Sequence, residues 1–143
     1  MTRGLGDGYE LDDDPGRVDV KEVHRYLSEE SYWAAGRPYD LAEAIIRAAS
    51  RVVGLYYQGR QVGFCRAITA VGLPAVYLAD VYVLEEHRGR GLGKQLVEEM
   101  IDRGPFADRP WLLHTEDAHE LYRGFGFREP GPRLMERPGQ RRF

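Results

Sequence analysis

"DVYVLEEHRGRGLGKQLVEEMI", residues 80–101, divides into three parts. A β-branched and aromatic stretch runs up to Leu84, a turn rich in charge and glycine follows, and apolar residues then recur at Leu92, Leu96, Val97, Met100 and Ile101. That recurrence marks one face of an amphipathic helix, so the stretch reads as strand, loop and a helix packed on a sheet. A helix that starts straight after such a loop leaves backbone N–H groups unpaired and aimed at one point, where the helix dipole adds positive potential. Phosphate is the natural ligand of such a point. Gly89, Gly91 and Gly93 allow positive φ and close approach, and Arg88, Arg90 and Lys94 can add charge-assisted hydrogen bonds. A pyrophosphate is therefore expected over Arg88, Gly89, Arg90, Gly91, Leu92, Gly93 and Lys94.

Spacing separates the possible phosphate motifs. A G-x-x-x-x-G-K-[ST] loop fails because Arg88 stands five residues before Gly93 and Gln95 follows Lys94 where a hydroxyl should hold magnesium. A dinucleotide fingerprint G-x-G-x-x-G starting at Gly89 would need a third glycine where Lys94 stands. The pattern R-x-x-G-x-G is satisfied by Arg88, Gly91 and Gly93.

Working outward, "AVYLADVYVL" (75–84) is the strand that feeds the loop, and "SRVVGLYY" (50–57) and "QVGFCRAIT" (61–69) read as a β-hairpin turning at "QGR". Asp19 with Glu22 makes a capping box for a first helix in "VDVKEVHRYLSEE", and Asp40 with Glu43 makes one for a second, whose stripe is Leu41, Ala44, Ile45 and Ala48. After the loop helix, "PWLLHT" (110–115) reads as a strand, "DAHELYRGF" (117–125) as a short helix and "RLMER" (133–137) as a last strand. "MTRGLGDG" at the start is expected to fray, and "RPGQRRF" to be a short basic tail. The order belongs to a mixed α/β or α+β domain.

The size, 143 residues, suits one domain over 1–143 with a single core at about 8–138. A formal charge of −3 argues against a dedicated nucleic-acid binder, and the lack of a long apolar run against a membrane span. The apolar setting of the single cysteine, Cys65, predicts an inert buried thiol, which fits a cytoplasmic location. His87, His114 and His119 with one cysteine have no zinc spacing, so no metal is expected.

At the loop the chain resembles the GNAT superfamily of N-acetyltransferases, whose acetyl-CoA loop carries [RQ]-x-x-G-x-[GA] between a strand and a helix. "WLLHTEDAHELYRGFGF" (111–127) is similar to that family's next strand and tyrosine-bearing helix, so two motifs occur in the family's order. The resemblance implies a central mixed, mostly antiparallel twisted sheet flanked by helices on both faces. It also implies acetyl-CoA as co-substrate and direct transfer of acetyl to a primary amine of a small molecule or peptide. A homodimer is an open expectation, since relatives often dimerise.

The resemblance sets Val81, Tyr82 and Val83 along the pantetheine arm and acetyl group, bound through backbone groups that need no particular side chain. Tyr122 matches the tyrosine that protonates the departing thiolate, a role open to a neutral phenol; the alternative is a buried helix residue. Asp80 falls on the opposite strand face from Val81 and Val83 unless a bulge intervenes, as one does in the family. It reads equally as a water-relayed base or as a structural acceptor, because Ala79 stands where some relatives carry a glutamate. His114 and His119 are reserve bases, and Glu85, Glu86 and His87 read as a solvated turn. In "SYWAAGRPYD" (31–40), Tyr32 and Trp33 could wall an acceptor pocket and Arg37 bind a carboxylate there, or the aromatics could pack the helices. A non-catalytic acyl-CoA-binding or sensor domain is the alternative to an enzyme. An RNA-binding domain using the loop and tail is disfavoured by the net acidity.

Overall fold

The computed structural model describes residues 1–140. Its sheet has six strands in chain order: β1 Thr2–Gly6, β2 Tyr9–Asp12, β3 Arg51–Tyr57, β4 Arg60–Ile68, β5 Val76–Val83 and β6 Trp111–Leu112. All neighbours are antiparallel except β5 and β6, which run parallel. The helices are α1 Val20–Glu29, α2 Tyr39–Ala48, α3 Leu92–Ile101 and α4 His119–Arg123. None is long and apolar enough to cross a membrane among the described residues.

Adjacent residues of β5 place the helices on opposite faces. Tyr82 stacks on Tyr26 of α1 with ring centroids 3.9 Å apart, while the methyl of Val83 lies against the start of α3 at Gly93. Side chains alternate along a strand, so α1 and α3 cover the two sides of the sheet. The expected apolar stripe of α3 is buried in full, and β3 and β4 between the layers are buried along most of their length.

The β3–β4 hairpin forms where expected, on Gln58 and Gly59, both at positive φ as a two-residue type I′ turn requires. The N-terminus does not fray. Asp7 and Gly8 make a second turn of this kind, which pairs β1 with β2, and Arg3 Nε of β1 donates to Glu99 Oε1 of α3 at 2.5 Å. Glu99 is fully buried and also meets Arg51, whose NH1 donates to the Glu99 and Met100 carbonyls that the end of α3 leaves unpaired.

Asp19 caps α1 by accepting from the Glu22 N–H at 3.1 Å. The other half of the box is replaced, because the Asp19 N–H donates to Gln61 Oε1 at 2.7 Å. For α2 the expected cap is displaced: Pro38, held extended at φ −63° and ψ 148°, precedes the helix, and Asp40 lies inside its first turn. Its stripe turns by one residue, with Ala42 and Ile46 buried, Leu41 and Ile45 half-buried beside a cavity, and Ala44 and Ala48 exposed. "RLMER" is not a strand; Leu134 and Met135 are exposed, and the two residues of β6 offer too short a ladder to hold another strand. Arg141, Arg142 and Phe143 of the basic tail lie outside the described residues.

Candidate active site

The site begins where the sheet divides. β5 pairs with β6 only at Val76–Trp111 and Tyr77–Leu112. Beyond that point the chain leaves β5, so among the described residues the edge of β5 towards Val83 has no neighbouring strand on that side. The open edge leads to the glycine loop. Gly89 and Gly91 take φ of 79° and 75°, values that side chains with a Cβ seldom adopt. Gly91 is the N-cap of α3 with no side-chain acceptor, and the first intrahelical bond runs from the Gln95 N–H to its carbonyl. The N–H groups of Leu92, Gly93 and Lys94 therefore precede the helical ladder at the positive end of the dipole. Arg90 and Lys94 stand exposed beside them.

Arg88 turns back from the loop. Its Nε donates to the Val83 carbonyl at 2.8 Å and its NH2 to Tyr26 Oη at 2.9 Å. Part of the fork expected on the pyrophosphate thus ties the loop to β5 and α1. His87 corrects the expectation of a solvated turn: it is buried, with Nδ1 2.6 Å from Tyr9 Oη, and so anchors the base of the loop to β2.

A cavity of about 600 Å³ opens between β5, α2 and the segment that leads into α4, and it is lined by Trp33, Arg66, Asp80, Val81, Asp117 and Tyr122 among others. The bulge needed at Asp80 is present. Phe64 pairs with Tyr82 and Arg66 with Ala79, so β5 spends one residue more than β4, and Asp80 takes a φ of 56°. Asp80 and Val81 both reach the cavity as a result.

Asp80 is 5% exposed and accepts from four donors. Trp33 Nε1 lies 2.8 Å away, Arg37 NH1 3.0 Å and NH2 3.4 Å, and Arg66 Nε 2.6 Å. Burial alone would raise its pKa, but the charges of Arg66 and Arg37 outweigh burial and hold it below the usual carboxylate value. A carboxylate so stabilised as an anion is a poor proton acceptor near neutral pH. Arg37, expected on the acceptor, is 6% exposed and has its two terminal nitrogens on Asp80. Trp33 likewise has its N–H on Asp80, so it walls the cavity and positions the bulge at once. Tyr32 Oη accepts from the Glu116 N–H at 2.8 Å, joining the 31–38 loop to the far wall.

Tyr122 is 8% exposed, with its ring edge-on to Phe127 and no hydrogen bond from its hydroxyl to any described residue. Burial pushes the phenol well above its ordinary range, so it stays protonated. Cys65 is fully buried and its thiol is likewise raised by burial, as its apolar setting implied. His119 is exposed on α4; His114 lies beyond β6, with Nδ1 2.6 Å from Tyr77 Oη and Nε2 3.1 Å from Glu136.

Two charged cavity residues, Arg66 and Asp117, escaped the sequence reading. An arginine inside the apolar run "VGFCRAI" was the available signal, since a charge in a strand covered on both faces needs a buried partner or a cavity.

The model of the acetyltransferase (GNAT) domain family matches residues 48–129, from the end of α2 through α4. The chain belongs to the GNAT acetyltransferase family. A curated relative from Gibberella zeae, named as a candidate acetyltransferase, is 31% identical over 90% of this chain and 82% of its own. A crystal structure from Xanthomonas campestris, assigned to the same family, superposes with a TM-score of 0.84 at 36% identity, covering 95% of this chain and 96% of that one. A GNAT acetyltransferase from Brucella melitensis, solved in complex with acetyl-CoA, shares the fold with a TM-score of 0.65 at 17% identity over 84% and 82% of the two chains. The mixed, mostly antiparallel six-stranded sheet with its helices is thus the GNAT fold.

Proposed function

We propose that this GNAT protein is a single-domain enzyme that transfers acetyl from acetyl-CoA directly to a primary amine. The observation that carries the reading is the open edge of β5 running into the unpaired N–H groups at the start of α3. The pantetheine arm would lie along Val81, Tyr82 and Val83 and the pyrophosphate on residues 88–94, with Arg90, Lys94 and the backbone N–H groups as its donors and Arg88 holding the loop in shape. The acceptor enters through the cavity bounded by Trp33 and Tyr122.

In direct transfer the neutral amine attacks the thioester carbonyl carbon, the C–S bond breaks, and the sulfur leaves with a proton. Backbone N–H groups of the β5 edge stabilise the charge on the carbonyl oxygen. Tyr122 gives its proton to the departing sulfur, and the proton that the acetylated nitrogen must lose to become a neutral amide returns through water to the phenolate. Because its pKa is raised, Tyr122 stays protonated at neutral pH, and its proton moves only as thiolate charge develops. Asp80 does not collect the amine proton; it fixes Trp33, Arg37 and Arg66 around the bulge, and the acceptor is deprotonated before attack.

Tyr122→Phe should keep acetyl-CoA affinity within about twofold and lower kcat by roughly 10²–10⁴-fold, the usual range for loss of a positioned proton donor. Transfer kinetics and calorimetry on one preparation check both numbers, and an unchanged kcat would remove Tyr122 from the chemistry. The reading as a whole is tested by calorimetric titration with acetyl-CoA, CoA and ATP. Selective binding of the two CoA ligands is expected; affinity without transfer to any amine would favour an acyl-CoA sensor instead.

A further inference from the structure

Resting on the acetyltransferase reading, we infer that the acceptor is an amine that also carries a carboxylate, an amino acid with an apolar side chain, and that Arg66 binds that carboxylate. Arg66 sits on β4 beside the bulge and lines the cavity. Its Nε is committed to Asp80, whereas its two terminal nitrogens have no partner among the described residues. They present four N–H donors in one plane, the geometry that grips a carboxylate. The side chain is 13% exposed, and its terminal nitrogens are reached from the cavity rather than sealed beneath it.

The charge count points the same way. Arg37 and Arg66 share one carboxylate, whose two oxygens already accept four donors. One positive charge is left over, and the buried Nε of Arg37 has no hydrogen-bond partner among the described residues. An arriving carboxylate balances the cluster; a second ammonium, as in a polyamine, would be repelled. The other lining carboxylate is Asp117, on the segment that leads into α4, whereas Arg66 stands on β4. Positive and negative groups therefore border different parts of the cavity, matching an acceptor with both signs of charge. Leu41, Ile45 and Leu78 supply an apolar wall.

The test compares kcat/KM for L-leucine and L-phenylalanine with that for their amides and for isoamylamine and phenethylamine. An amino-acid amide has the less basic amine and is more often neutral, so reactivity alone favours the amide. The wild-type protein should prefer the acids by about tenfold or more, as expected for charge-assisted hydrogen bonds. Arg66→Lys, which keeps a charge facing Asp80, should retain acetyl-CoA affinity and bring that preference close to one. Binding of N-acetyl-L-leucine over its amide, read by calorimetry, checks the same contact without turnover. Equal or better use of amines lacking a carboxylate overturns the inference. So does an equal loss on acids and amides in Arg66→Lys, or a protein that binds acetyl-CoA but neither acetylates the amino acids nor binds N-acetyl-L-leucine. Failure to bind acetyl-CoA at all would strike the proposed function instead.

Discussion

Asp80→Ala is expected to cost about 3–5 kcal/mol of folding stability, the range for removing one partner of a buried ion pair. The reason is what it would leave behind. Arg37 and Arg66 would face each other across the empty place of their shared anion, and Trp33 would lose its acceptor. Asp80→Asn keeps the volume but not the charge and should fall between the two. A domain of this size is held by only about 5–15 kcal/mol, so Asp80→Ala consumes a large share of it. Urea denaturation of the three proteins measures the difference. Acid adds a second readout. A carboxylate held below its ordinary pKa contributes stability that is complete above the unfolded value, about 3.9, and is lost as pH falls through the lower folded value. The wild-type protein should therefore lose stability in that acid range more steeply than Asp80→Asn. A dedicated catalytic base would give a different pattern: activity lost in Asp80→Asn with stability unchanged.

Gly91→Val is expected to weaken acetyl-CoA binding by roughly tenfold or more while leaving most of the fold intact. A φ of 75° is open to glycine but costs a β-branched residue on the order of 1–3 kcal/mol. No atom of the described residues crowds the position, so the cost is one of backbone conformation and cannot be relieved by shifting a neighbour. The chain would escape the strain by rotating the turn, which moves the N–H groups of Leu92, Gly93 and Lys94 away from their common point. Calorimetry reads the affinity and a thermal melt the fold. A variant that folds and binds acetyl-CoA as tightly as wild type would show that the loop is not the phosphate site.

The elements legible in the sequence were those whose signals are local. The stripe of α3, the turn at Gln58 and Gly59, and the spacing from Arg88 to Gly93 each lie within about a dozen residues, and each carries its own physical reason. The N-terminal hairpin had such a signal in Asp7-Gly8, but the surrounding glycines looked like a frayed end, and only pairing with β2 and the reach of Arg3 to Glu99 order it. The buried charges were hidden for a different reason. Asp80, Arg37 and Arg66 come from three separate segments, as do Glu99, Arg3 and Arg51, and no spacing along one chain announces that such groups will meet. The failed strand at "RLMER" shows the limit of composition, since a strand also needs an edge long enough to receive it.

That short β6 has another consequence. An unpaired strand edge is ordinarily a hazard, because it offers a template on which another chain can add. Here the bare stretch of β5 borders the same cavity as the segment from Leu113 to Tyr122, which stands across from it and would hinder a foreign strand. A thin ligand with amide groups could still slide in and satisfy the edge as a strand would. The molecule thus keeps its hydrogen-bonding capacity in reserve for a guest while denying it to its neighbours in a crowded solution.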